Sequence, residues 1–177
     1  MKVVAFNGSP RKGGNTEICL NLIGEELSKQ GIELEIIQVG TRAKPCTACY
    51  QCLERGDGHC IQTDEVNGWI DKMVEADGII LASPVYYGGI AGGMKCFLDR
   101  AFLAAGPKLH HKVGAAVVTL RRSGGKHARG TRSRNTDSTS RPLSAPHRKD
   151  YRLRLRDRIA LRTYIMHFFI FCNVENH

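Results

Sequence analysis

Four short apolar segments, separated by stretches with helical periodicity, constrain this chain more than any other feature. Three of them, residues 3–6, 78–82 and 113–118, are continuously apolar, which is typical of central strands covered on both faces. Residues 32–36 alternate apolar and acidic side chains, so we expect one face of that strand to meet water at a sheet edge. The pattern predicts an α/β fold with a doubly wound parallel sheet in the strand order 2-1-3-4-5.

Amphipathic stretches between these strands predict three helices. The first covers residues 16–30, with Asn15 or Thr16 as its N-cap and Gly31 just beyond its end. The second follows Asp64, and the third lies between the last two predicted strands. We expect their apolar stripes to be core faces; the stripes consist of Cys19, Leu22, Ile23 and Leu27, then Trp69, Ile70, Met73 and Val74, then Met94, Phe97, Leu98, Ala101 and Phe102.

Length, charge and cysteine content narrow the class of protein. The 177 residues suit one domain with a real core, and no apolar run approaches the roughly 18 residues that cross a bilayer, so we expect a cytoplasmic protein without a membrane partner. The net charge of +9 resides in the tail, because residues 1–120 carry 12 Lys and Arg against 13 Asp and Glu. Seven cysteines, an odd number, favour metal or redox chemistry over a disulfide scaffold.

A glycine-rich loop joins the first predicted strand to the first helix. Such a junction offers backbone N–H groups and the positive end of the helix dipole, and its glycines let a phosphate approach closely. The residues that would hold the phosphate are Ser9, Arg11, Lys12, Gly14, Asn15 and Thr16. The segment therefore predicts a phosphate site, and an ordinary glycine-rich turn with solvated basic side chains remains the alternative.

Missing residues restrict which phosphate this loop would bind. Gly13 is followed by Gly14 and Asn15 instead of Lys and Ser or Thr, so a nucleoside-triphosphate loop is disfavoured. The G-x-G-x-x-G fingerprint of dinucleotide sites is absent as well, because Ser9 and Pro10 follow Gly8. A tightly held monophosphate is the remaining prediction.

A second loop follows the third predicted strand at the same end of the sheet. In the order 2-1-3-4-5 the first and third strands flank the switch point, so both loops should face one crevice. Tyr86 and Tyr87 beside several glycines suit a flat ring that stacks and accepts backbone hydrogen bonds, whereas simple packing is the alternative.

Four cysteines lie between these two loops, at Cys46, Cys49, Cys52 and Cys60. Two-residue gaps let three sulfurs converge, and four thiolates can hold a 4Fe-4S cluster or a tetrahedral zinc. Free or redox-active thiols are a further alternative, as is a site of three cysteines and His59.

Three motifs together resemble a known family. G-S-P-R-x-x-G-N-T after the first strand, S-P-V-Y-Y-G after the third, and the cysteine run are similar to the flavodoxin-like, FMN-binding, NAD(P)H-dependent reductases and their iron-sulfur flavoprotein relatives. The resemblance covers residues 1–125. It implies an FMN-dependent oxidoreductase with the FMN phosphate on Ser9 to Thr16 and a 4Fe-4S cluster on the four cysteines.

The same resemblance carries further implications for the site and its partners. The isoalloxazine ring would lie against Pro84, Val85, Tyr86, Tyr87 and Gly88, with Arg121 and Gly124 near it. The electron donor would be NAD(P)H or a ferredoxin-like carrier. A homodimer or homotetramer is implied, because members of this family usually complete the flavin site with a neighbouring subunit.

The basic tail departs from this resemblance. Residues 121–150 are rich in Arg, Ser, Thr, Gly and Pro, which predicts irregular structure, and the apolar run 165–172 leaves a fifth strand open. Residues 126–177 match nothing expected of the family, and the abrupt switch indicates a change of reading frame. The rival function is nucleic-acid binding through Arg121 to Arg162, which we disfavour because the basic stretch contains no aromatic residue before Tyr151 for base stacking.

Overall fold

The structure is a computed structural model that describes residues 1–120 and the backbone of two further strands, at 151–152 and 162–170. The strands are β1 Lys2–Asn7, β2 Glu33–Gln38, β3 Gly78–Tyr86, β4 Gly89–Ile90, β5 Val113–Leu120, β6 Tyr151–Arg152 and β7 Arg162–Ile170. The helices are α1 Asn15–Lys29, α2 Gln51–Arg55, α3 Val66–Glu75 and α4 Gly92–Ala105, and a 3-10 turn covers Gly106–Leu109.

The sheet has the order β2-β1-β3-β5-β7-β6, and its first four strands are parallel. This arrangement confirms the predicted order for four strands, with β2 at the edge. The short strand β4 pairs antiparallel with β3 and was not predicted. A fifth strand does lie beside β5, but β7 runs antiparallel to β5. Either orientation pairs the open edge of β5, and the antiparallel ladder has one register shift, between Gly114 and Ala116.

Alternate residues of β1 point to opposite faces of the sheet and build two cores. Val4 and Phe6 belong to the larger cluster, which includes the apolar faces of α3 and α4. Val3 and Ala5 belong to the second cluster, where Cys19 and Leu20 of α1 cover the sheet. The period of two along the strand therefore places helices on both faces, as predicted for a doubly wound fold.

The start of α1 differs by one residue from the prediction. Its N-cap is Gly14, in an extended conformation, rather than Asn15 or Thr16. The hydroxyl of Thr16 is instead paired with that of Thr119 at 2.8 Å, so it does not cap the helix. Gly31, with φ of +68°, follows the helix end as predicted.

Two close approaches seat the start of α4 against the loops after β1 and β2. A Cβ atom added at Gly93 would lie 1.9 Å from the carbonyl oxygen of Gly40, and one added at Gly8 would lie 2.7 Å from Cβ of Met94. These glycines are required by contact distance, which fixes where both loops lie relative to α4. In the part of the chain described, no helix combines the length and apolarity that crossing a membrane demands.

Candidate functional site

Three segments meet at the carboxyl edge of the parallel strands. The N–H of Gly8, just after β1, donates to the carbonyl oxygen of Ala82 in β3 at 2.7 Å. Pro84 near the end of β3 lies in register with Thr119 near the end of β5. Thr119 in turn shares the buried hydroxyl hydrogen bond with Thr16 in the first turn of α1. The structure thus brings the two predicted cofactor loops to the same edge of the sheet.

The loop of residues 8–16, which we call the glycine loop, is held by the strands on either side. Ser9 is buried; its N–H donates to Oδ1 of Asn7 at 3.0 Å, and its hydroxyl oxygen accepts from the N–H of Arg11 at 3.2 Å. The Gln38 amide donates to the carbonyl of Ser9, and its oxygen accepts from the amide of Asn7 at 2.8 Å. These side chains of β1 and β2 hold the loop in its conformation.

The first turn of α1 has the features of an anion site. No side chain caps the helix start, while Arg11, Lys12 and Asn15 are exposed beside it. The N–H of Gly13 donates to the Glu17 carboxylate at 2.8 Å, so an anion that took this N–H would displace an exposed carboxylate. Helix-start N–H groups without a side-chain cap, together with the helix dipole, favour a phosphate at this position.

Residues 84–88, which are the end of β3 and the turn into β4, form an aromatic segment at this edge of the sheet. Tyr86 is half-exposed and Tyr87 is fully exposed, while Pro84 and Val85 are partly buried. Tyr87 has a φ of +46°, a left-handed conformation that is uncommon for a residue other than glycine. Such backbone strain is characteristic of ligand-binding turns.

Two predicted flavin contacts, Arg121 and Gly124, lie outside the described residues, as do the predicted irregular segment and most of the tail.

The segment of residues 46–60, which we call the cysteine loop, places its four cysteines around one pocket. Cys46, Cys49, Cys52 and Cys60 all line it, together with Arg100 from α4. Cys52 and Cys60 are buried, whereas Cys46 is partly exposed and Cys49 is exposed. Within residues 1–120, no three His, Cys, Asp or Glu side chains are close enough to share a metal ion. The thiols are therefore neighbours that have not converged.

The cysteine thiols sit in different electrostatic environments. Burial, followed by the neighbouring thiol groups of Cys60 and Cys46, raises the pKa of Cys52. Backbone N–H donation from Gln51 and the hydroxyl of Thr47 lower the pKa of the exposed Cys49. Cys49 is thus the readier thiolate, and a positive centre in the pocket would favour the deprotonated form of both.

Cys60 is held more firmly than a loop residue usually is. Its N–H donates to Oδ1 of Asn67 at 2.8 Å, and its carbonyl accepts from Nδ2 of Asn67 at 2.9 Å. The Cys60 sulfur accepts from Nε of Arg100 at 3.3 Å. Two helices, α3 and α4, therefore fix the fourth cysteine, which lies farthest along the chain from the other three.

Arg100 is a residue of this pocket that sequence reasoning missed. Its side chain is fully buried and forms a two-pronged ion pair with Asp64, at 2.6 and 2.7 Å. The Arg100 guanidinium lowers the pKa of that carboxyl. A signal was present, because Arg100 stands three residues after Phe97 on the apolar face of the third predicted helix.

His59 is directed away from this pocket. Its Nε2 lies 2.7 Å from Oδ1 of Asp71 on α3, and His59 does not line the pocket that the cysteines share. The alternative of a site built from three cysteines and His59 is thus not the one that the structure brings together.

Comparisons with known proteins agree with this architecture. A family model described as NADPH-dependent FMN reductase matches residues 1–133. An iron-sulfur flavoprotein of Methanocaldococcus jannaschii is 42% identical over 129 residues, which cover 71% of this chain and 66% of that protein. An iron-sulfur flavoprotein of Archaeoglobus fulgidus is 40% identical over 133 residues, which cover 72% of this chain and 64% of that protein.

A solved structure supports the fold. The NAD(P)H:quinone oxidoreductase from Methanothermobacter marburgensis superposes with a TM-score of 0.59 at 15% identity, covering 75% of this chain and 74% of that one. This likeness confirms the flavodoxin-like fold. The chain spans less than two thirds of the length of the two curated relatives above.

Proposed function

The chain belongs to the NADPH-dependent FMN reductase family, and we propose that it is an FMN-dependent oxidoreductase that takes electrons from NAD(P)H or a ferredoxin-like carrier. The observation that carries this proposal is that the glycine loop and residues 84–88 lie at the same end of the neighbouring parallel strands β1 and β3, where Gly8 bonds Ala82 and Thr16 bonds Thr119. When bound, FMN supplies a ring that accepts a hydride and returns electrons to an acceptor. The protein orients that ring and needs no side-chain base.

The FMN phosphate would lie on the glycine loop. Ser9 and Thr16 offer hydroxyls, Arg11 and Lys12 offer charge, and the N–H groups from Gly14 onward offer donors; Asn15 is exposed beside them. The ring would lie against Pro84, Val85, Tyr86, Tyr87 and Gly88. The support for this placement is that both loops are already shaped by contacts within the protein.

Replacing Ser9 with alanine tests the phosphate site. A lost hydrogen bond to a charged group costs about 1.5–3 kcal/mol, so S9A should raise the Kd for FMN at least tenfold. Ser28, exposed on the same helix-loop unit, provides the matched control, and S28A should leave the Kd unchanged. Quenching of FMN fluorescence on titration measures both, and equal affinities would contradict this placement.

The finer part of the proposal is a 4Fe-4S cluster on Cys46, Cys49, Cys52 and Cys60. Support comes from the shared pocket, from the soft thiolate donors that such clusters require, and from relatives named iron-sulfur flavoproteins. The cluster would supply single-electron exchange beside the two-electron flavin. The residues of the loop would only need to converge, since all four cysteines already border one cavity.

Metal analysis of anaerobically purified protein tests the cluster. We expect FMN with roughly four irons and four sulfides per chain. C60S should lose the iron and keep the FMN, whereas C96S on α4, outside the pocket, should keep both. Protein that contains flavin but no iron would be a reductase without a cluster. Zinc in place of iron would mean that the four cysteines form a structural metal site.

Assembly and location complete the proposal. A homodimer or homotetramer would cover the exposed Tyr86 and Tyr87, which border the flavin crevice on one side only. Light scattering of the purified protein tests this assembly. We propose a cytoplasmic location because the seven cysteines, an odd number, argue against a disulfide scaffold.

We further propose that the sequence beyond the domain of residues 1–125 results from a change of reading frame. Translating the coding DNA in its other two frames tests it, and the absence of a family-like C-terminus there would contradict it. The rival function, nucleic-acid binding through Arg121 to Arg162, finds no support in the family match.

A further inference from the structure

Arg100 is the largest fully buried side chain of the described residues, and it is charged. A guanidinium out of contact with water is costly unless its charge is balanced and its N–H groups are bonded. Asp64 balances the charge and accepts from both terminal nitrogens, Nη1 and Nη2. This pairing leaves Nε as the donor directed at the Cys60 sulfur, 3.3 Å away.

The geometry of the guanidinium explains why arginine stands at this position. Its planar fork satisfies a carboxylate with two nitrogens while a third, Nε, remains available to another acceptor. The terminal nitrogens also approach the carbonyls of Lys44 and Gln62, at 3.4 and 3.5 Å. One side chain from α4 thus contacts chain segments just before, within and just after the cysteine loop.

We propose that Arg100 is a positioning residue for the cysteine site: it fixes the Cys60 sulfur in the shared pocket and stabilises the reduced form of a cluster bound there. This inference rests on the proposed iron-sulfur function. Hydrogen bonds to cluster sulfurs tune the reduction potential, because they favour the state with more negative charge. Asp64 counters the net charge of the guanidinium but leaves its N–H donation to sulfur in place.

The test compares two variants that both carry the D64N substitution. D64N alone retains Arg100 and its Nε donor, whereas the double variant R100M/D64N removes every N–H donor at position 100 without leaving a lone buried carboxylate. Measurements are iron and FMN content, circular dichroism, and the midpoint potential of the cluster by a redox titration followed by electron paramagnetic resonance. We expect the double variant to favour the oxidised cluster at least tenfold more than D64N, which is a shift of about 59 mV to lower potential.

Each outcome bears on the proposal. A lower potential, or lost iron with full FMN and a native spectrum, supports it. Equal iron content and equal potential in the two variants overturn it. If the double variant does not fold, R100K decides: an unchanged potential overturns the role of Nε, and a lowered one supports it. Wild-type protein with FMN but no iron would instead refute the proposed cluster itself, and this inference with it.

Discussion

The glycine loop and the cysteine loop follow neighbouring strands, β1 and β2, yet they are held in different ways. The glycine loop is fastened by a main-chain hydrogen bond from Gly8 to β3 and by the amide side chains of Asn7 and Gln38 from β1 and β2. The cysteine loop depends on side chains that reach it from α3 and α4, above all Asn67 and Arg100. The first loop is held by contacts with the sheet, whereas the second borders a pocket in which, among the described residues, no three potential ligand side chains are close enough to share a metal ion.

This contrast teaches where each site is vulnerable. A loop that is held by hydrogen bonds to the sheet is destabilised when an added atom collides with it or when a buried hydroxyl group is removed. A loop that is held by a buried ion pair is destabilised when one of the two charges is removed, because the other charge stays in the interior without a partner.

Breaking the ion pair should have the largest effect. D64N leaves Arg100 buried without a counter-charge, and the expected loss in the free energy of unfolding is about 3 kcal/mol. Urea denaturation measures it. The control is D99N, which removes the ion-pair partner of Lys95 on α4, the helix that also carries Arg100. This variant should change the free energy of unfolding by less than about 1 kcal/mol. Equal effects of the two variants would show that the cysteine loop does not depend on the buried pair.

Adding one methyl group at Gly93 should come next. The new Cβ would meet the carbonyl oxygen of Gly40 at 1.9 Å, and such overpacking costs about 1–3 kcal/mol. G92A, at the adjacent position with nothing within 4 Å of the added atom, is the control and should be neutral or slightly stabilising. Thermal unfolding distinguishes them, and a stable G93A would mean that α4 does not seat on the loop after β2 as described.

The hydroxyl pair beneath the glycine loop should have a smaller effect. T16V leaves the buried hydroxyl of Thr119 without this partner, at a cost of about 1–2 kcal/mol. T16V/T119V removes both groups, so its cost should be less than the sum of the two single variants. A double-mutant cycle by urea denaturation measures the coupling, and strict additivity would deny the contact.

The smallest expected effect is the loss, in acid, of the stability that Asp64 contributes beside the cysteine loop. Because Asp64 has a lowered pKa when folded, its stabilising contribution is fully present above its ordinary pKa of about 3.9 and is lost as the pH falls through the lower folded value. The stability difference between wild type and D64N should therefore shrink below about pH 4. Denaturation at a series of pH values checks this, and a constant difference would contradict the assigned charge state.

The fold was predictable because its signals are periodic and local. Continuous apolar runs marked β1, β3 and β5, and alternation marked β2 as the edge strand. Strand β4 is only two residues long and offers no period to detect. The N-cap was misplaced because Thr16, a good capping residue in isolation, bonds across the crevice to Thr119, a contact 103 residues away.

The positions of both candidate loops were predictable because they follow the ends of predicted strands, while the roles of their residues stay predictions. Glycines and cysteines at fixed spacings located both loops, since spacing constrains what a loop can wrap around. Arg100 was missed because its role depends on Asp64 and Cys60, which come from a different part of the chain and meet it only in three dimensions. A charge on an apolar helix face was the signal, and its partners could not be identified without the fold.

The continuity of the cysteine loop between β2 and α3 has an engineering consequence. Its main polar tethers from outside are Asn67, Asp71, Arg100 and Lys108; Asp71 pairs with His59 at 2.7 Å, and Lys108 donates to the carbonyl of Asp57 at 2.5 Å. A designer who wished to graft the proposed cluster site onto another doubly wound scaffold would transplant one uninterrupted insert and four recipient positions. The host's own flavin cradle would stay untouched.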